Sequence, residues 1–154
     1  MNLSPELITA VLAAAPITEL RASIPIALGV YKMSVSQAAG WSLLGSGIAT
    51  YLLLSVLGPL TGWLMKISPF LNRVIAAVFS RTRNRAMANY VKYGKWALVI
   101  FVAIPLPGSG FWTGALIAFL FGIEKFYAWL LIFTGLVLSA VLVVLISLGF
   151  INIF

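Results

Sequence analysis

Cysteine, histidine and aspartate are absent from the 154 residues, and the only carboxylates are Glu6, Glu19 and Glu124. Each absence removes chemistry. A serine–histidine pair needs histidine, an intramembrane aspartyl protease needs aspartate, and zinc sites draw on side chains this chain scarcely has. No covalent reaction and no cofactor is therefore expected. Without cysteine there are no disulfides, so the redox compartment is left open. Charge is scarce as well. Charged residues make up 8% of the chain against 62% hydrophobic, whereas about a quarter of a soluble domain is charged. A chain of this composition expects lipid as its solvent.

Four apolar stretches follow one another, at about 6–31, 36–65, 97–123 and 126–154, each long enough for a span of about 20 residues. Ala13-Ala14-Ala15 in the first imitates a signal cleavage site. Nothing basic precedes it, however, and Glu6 stands where a cation belongs, so the segment is read as part of the mature protein.

Only the second and fourth stretches read as plain spans. The first is interrupted by Pro16-Ile17-Thr18-Glu19-Leu20-Arg21-Ala22-Ser23-Ile24-Pro25 and the third by Pro105-Leu106-Pro107-Gly108-Ser109-Gly110, where proline removes amide donors and blocks helix continuation. The arm before Pro16 reaches only about 15 Å as helix, half of a hydrocarbon core of about 30 Å. Re-entrant helical hairpins fit that length.

The order is thus broken stretch, plain span, connector, broken stretch, plain span. Pro16 and Gly58 stand as far apart as Pro107 and Gly149, and Gly29-Val30-Tyr31-Lys32 echoes Gly122-Ile123-Glu124-Lys125. The expected fold is an all-α membrane protein of one integral domain, with repeat 1 at about 1–65, a connector at 66–95 and repeat 2 at about 96–154. One hairpin and one full span per unit make the two units insert in opposite directions, an inverted repeat of the kind many transporters use.

Seven of the ten basic residues, Lys66, Arg73, Arg81, Arg83, Arg85, Lys92 and Lys95, fall in the connector, which places it on the cytoplasmic side of the plasma (inner) membrane. Ile67, Phe70, Leu71, Val74, Ile75, Val78 and Phe79 recur there at helical spacing after Ser68-Pro69, the pattern of an interfacial amphipathic helix. The arginines are read as setting topology rather than forming a site. Trp41, Trp63, Trp96, Trp112 and Trp129 lie mostly near predicted span ends and read as interfacial anchors.

Glu19 and Arg21 are the ionisable residues deepest in an apolar stretch, and an unpaired charge there costs at least about 2.5 to 3.5 kcal/mol. They need each other or a ligand. Two residues apart, they share a face in extended backbone but not in a helix, so Pro16 and Pro25 are read as bounding an unwound stretch that presents both beside Ser23. In the third stretch, Pro105, Pro107, Gly108, Ser109 and Gly110 open a half-helix running through Thr113, whose free amides suit an anion. These ten residues, Glu19, Arg21, Ser23, Pro25, Pro105, Pro107, Gly108, Ser109, Gly110 and Thr113, form the candidate substrate-binding or coupling site.

The two broken segments, the first as quoted and the second as Ile104-Pro105-Leu106-Pro107-Gly108-Ser109-Gly110-Phe111-Trp112-Thr113-Gly114-Ala115, resemble those of the small multidrug export proteins of bacteria and archaea. The resemblance covers nearly the whole chain. It implies a transporter, and more distantly a kinship with DedA-type membrane proteins, pictured with facing re-entrant hairpins and linked to translocation of phospholipids or polyprenyl phosphate. Three functions compete: translocation of an anionic lipid held by Arg21 and the Gly108–Gly110 turn, export of lipophilic cations through Glu19, and a non-transporting membrane assembly role. Arg21 repels a cation, which favours the first. Membrane lipids, an amphipathic substrate and further copies of the chain, rather than nucleic acid, are the expected partners.

Overall fold

The computed structural model describes residues 4–106 and 109–153, with side chains described at all of these except 71, 85–93 and 150–153. Among the described residues the chain is all-helical, in seven elements: α1 (Pro5–Ala14), α2 (Glu19–Gly29), α3 (Val35–Ile67), α4 (Pro69–Tyr93), α5 (Trp96–Ala103), α6 (Phe111–Leu120) and α7 (Lys125–Ile153).

The two long helices start where the sequence provides caps. Ser34 accepts from the Gln37 amide while the Gln37 side chain accepts from Ser34 N, a closed capping box for α3. Glu124 does the same work for α7, its carboxylate accepting from Phe126 N at 3.1 Å and Tyr127 N at 3.2 Å. Both helices are long and apolar enough to cross a membrane. At 33 residues α3 is about 50 Å long, well beyond a hydrocarbon thickness of about 30 Å. Neither is the core helix of a soluble protein. Leu44, Ile48, Leu52, Leu145 and Ile146 all stand exposed along them, an apolar exterior that water does not tolerate but lipid does.

The short helices come in two pairs that pack against the long ones. α1 lies on α3 and α5 on α7, while α2 and α6 each touch both long helices, which also touch each other. Small residues permit the approach. A β-carbon on Gly45 would collide with the Ala10 carbonyl of α1, and one on Gly135 would come within 2.9 Å of Val99 O in α5. Between the pairs sits an apolar core that includes Ile24, Val102, Phe111, Ile132 and Leu136. Hydroxyls join the helices inside it: Ser23 Oγ meets Ser42 Oγ at 2.8 Å, and Ser46 Oγ donates to Ala13 O at 2.9 Å.

The connector forms α4, as its periodicity predicts. Phe79 packs edge-on against Phe119 of α6 with ring centroids 5.8 Å apart, while Phe70, Val74 and Val78 remain exposed. The side chains of Leu71, Arg85 and Lys92 lie outside those described.

Candidate functional site

Both interruptions are where the prolines place them, but the first is shorter than the sequence suggests. Only Ala15 to Thr18 is non-helical; α2 begins at Glu19, and Pro25 lies inside it. Glu19 and Arg21 therefore occupy the first turn of a helix rather than an extended strand. Pro25 cannot donate to the carbonyl of Arg21 and its ring crowds that carbonyl, yet α2 runs on to Gly29.

A half-helix ending inside a protein leaves carbonyls that something must satisfy. For α1 three side chains do so. Thr18 Oγ1 donates to Leu12 O, Ser46 Oγ to Ala13 O, and the indole Nε1 of Trp112 reaches across from α6 to Ala14 O at 3.3 Å. The second turn relies on Ser109, which is buried. Its hydroxyl lies 2.6 Å from Ile104 O and 2.8 Å from Leu106 O, with one proton to donate, and accepts from Leu106 N at 3.2 Å.

The two turns meet. Arg21 Nη2 donates to Ser109 Oγ at 3.0 Å, joining residues 88 apart in the chain. The Glu19 carboxyl lies against the α-carbon of Gly110, so closely that a β-carbon there would fall on it. Glu19 thus occupies the N-terminus of α6, where about half a positive charge is exposed. The Glu19–Arg21 approach is looser, with Oε2 and Nη2 at 4.0 Å. Both side chains reach the opposite turn, Arg21 by its bond to Ser109 and Glu19 by its contact with Gly110.

Two features mark Glu19 and Arg21 as unusual. Glu19 has φ of 44°, the left-handed region that costs a residue with a β-carbon about 1 to 2 kcal/mol. Arg21 is a quarter exposed along its side chain, yet its Nε is buried without a hydrogen-bond partner.

Of the other expected site residues, Ser109 and Gly110 are at the junction, Pro105 is half-buried at the start of the second turn, and Thr113 is half-buried in the first turn of α6. Pro107 and Gly108 lie outside the described residues. Ser23 is wholly buried and engaged with Ser42, one turn away from the junction. Two of the tryptophans expected as interfacial anchors also bridge helices: the indole N–H of Trp112 donates to Ala14 O and that of Trp129 to Gly47 O at 2.9 Å. Trp112 is the junction residue the sequence did not single out. Its position two residues after Gly110 is the only signal that was present.

Two long apolar helices embrace two broken ones, and the breaks meet in a buried cluster of one carboxylate, one guanidinium, one hydroxyl and a helix N-terminus; that is a helical membrane protein with a polar centre. Residues 19–142 match the family described as "Putative small multi-drug export protein", and the chain belongs to that family. The match begins at Glu19. Neither a curated protein nor a solved structure matches the chain.

Proposed function

We propose that this protein is a transporter in which the junction of the two turns holds the anionic group of an amphipathic substrate, a lipid such as a polyprenyl phosphate or a phospholipid. The observation that carries this reading is that an acidic group already occupies the place: the Glu19 carboxyl lies against Gly110 at the N-terminus of α6, beside Arg21. A substrate phosphate competes for the same amides and guanidinium. Protonation of Glu19 removes the charge that holds its carboxylate at the α6 N-terminus, so proton uptake and anion entry act in the same direction. Arg21, with Nε unused, supplies the second point of a bidentate grip. Ser109 and the Gly110 backbone complete the cradle.

In the same reading α1–α2 and α5–α6 are re-entrant hairpins opposed in the bilayer, each with its own long helix forming one half of an inverted repeat. The matched packing of Ala10 on Gly45 and Val99 on Gly135 supports this. So does Lys95 at the start of α5, whose Nζ sits 4.7 Å above the ring of Tyr127 at the start of α7, which brings both ends of the second hairpin to one side. The basic connector then lies in the cytoplasm, the protein in the plasma (inner) membrane as a multi-pass chain, and a distant kinship with DedA-type proteins follows the shared hairpin plan. No covalent catalysis is involved. Two hairpins and two spans are too few to enclose the broken backbone from lipid, so the working form is a homodimer or larger.

A second reading, export of lipophilic cations, draws on the family's description and on Glu19 as a buried carboxylate. Proteoliposomes separate the two. With a fluorescent polyprenyl phosphate and a lipophilic cation dye as alternative substrates, the anionic reading expects movement of the phosphate, lost in Glu19→Gln and Arg21→Gln. Movement of the dye alone, undiminished in Arg21→Gln, overturns it. Cysteines introduced at Ser34 and Thr82 and labelled from one side must report opposite faces of the membrane.

A further inference from the structure

Away from the junction, α3 and α7 enclose a groove of about 370 Å³ lined by Gly47, Ile48, Tyr51, Leu52, Phe126 and Trp129. Its lining is almost entirely apolar, so what fills it is hydrocarbon. It shares no lining residue with the cluster at Glu19 and Arg21.

The groove is built rather than incidental. Phe126, Trp129 and Phe133 form a stacked wall, with neighbouring ring centroids at 6.1 and 5.1 Å and planes within 22° and 17°. Trp129 is fixed by its bond to Gly47 O, and a β-carbon on Gly47 would press on Phe133 at 3.0 Å, so the floor exists because position 47 has no side chain. The volume is near the lower end for small-molecule pockets.

One end of the groove is charged. Lys125, the first residue of α7, precedes Trp129 by four positions and therefore lies on the same face, one turn further out. It is exposed and has no carboxylate partner among the described residues. Glu124 beside it is turned back onto Phe126 N and Tyr127 N.

We propose that this groove is a binding site for an anionic phospholipid, with one acyl chain along the aromatic wall and the phosphate at Lys125. The site does not depend on transport at the junction. The purified full-length protein, delipidated in detergent, is titrated with dioleoylphosphatidylglycerol or dioleoylphosphatidylcholine and the lipid-bound fraction is read by native mass spectrometry. Ile48→Trp, at a position already exposed, fills the groove without touching the core and should reduce phosphatidylglycerol retention about tenfold. Lys125→Gln should reduce it severalfold and abolish the preference over phosphatidylcholine. Ile100→Trp, exposed on α5 outside the groove, should change neither. Equal retention in Ile48→Trp and the parent, or equal loss in Ile100→Trp, overturns the site. Retention insensitive to Lys125→Gln overturns the headgroup assignment, and an oligomer broken by Ile48→Trp with lipid retained makes the groove a contact between copies instead.

Discussion

The turn between α1 and α2 borrows two side-chain donors from other helices to satisfy the end of α1, whereas the turn between α5 and α6 satisfies its carbonyls with its own Ser109. Ser46 and Trp112 come to the first from α3 and α6; Ser109 serves the second from within. The charges are divided in the opposite sense. The first turn contributes Glu19 and Arg21, and the second contributes a hydroxyl and the open end of a helix. Neither half has a complete polar centre alone. The two turns are complementary, one supplying ionisable groups and the other the groups that meet them.

That complementarity can be broken at graded strength. The largest effect is expected where the halves are packed most tightly. Gly45→Ala drives a methyl into the backbone carbonyl of Ala10, which cannot turn aside, and should cost about 3 kcal/mol or more, against about 1 to 2 kcal/mol for Gly135→Ala, whose contacts are less close. Thermal denaturation of the purified variants measures the difference, and equal losses would mean the halves are packed alike.

Next comes the junction. Gly110→Ala puts a methyl where the Glu19 carboxylate sits, and Arg21→Gln removes a charge-assisted hydrogen bond of roughly 1.5 to 3 kcal/mol, weakening an anionic substrate about ten- to a hundredfold. Arg21→Lys should restore part of the binding but not the fork geometry. Titration of a polyprenyl phosphate against each variant in nanodiscs reads these effects, and full affinity in Gly110→Ala would dissociate Glu19 from the site.

Smaller losses should follow when single partners are cut. Ser109→Ala takes away the acceptor for Arg21 and a donor to the turn carbonyls, about 1.5 kcal/mol; Trp112→Phe removes one neutral bond to Ala14 O, about 1 kcal/mol. Both can be followed as shifts in midpoint of unfolding. The smallest is Arg83→Ala on α4, where transport should stay within twofold in the same proteoliposome assay, since an exposed charge acts on topology and membrane association.

Much of this was legible in the sequence because it rests on covalent facts. Proline without an amide hydrogen and glycine without a side chain mark the breaks at Pro16 and around Pro105, and unbroken apolar runs mark α3 and α7. The partnership of Glu19 and Arg21 was legible only as a need. Residues two apart on a helix diverge, and nothing local says that a turn some 90 residues later wraps around to meet both. Pro25 misled because a proline strains a helix without always ending it, and α2 continues for four residues beyond it. Trp112 and Trp129 were hidden for another reason: an indole satisfies an interfacial role and a helix-bridging role equally well, and sequence spacing does not distinguish them.

The bond from Trp112 to Ala14 O also bears on how the protein is made. The last carbonyl of α1 finds its partner 98 residues downstream. At translation rates of about 5 to 20 residues per second, Ala14 is made roughly 5 to 20 seconds before the indole that bonds to it. Until then Ala14 O is without that partner, and the α1–α2 turn reaches its final hydrogen bonding only once α6 has been made.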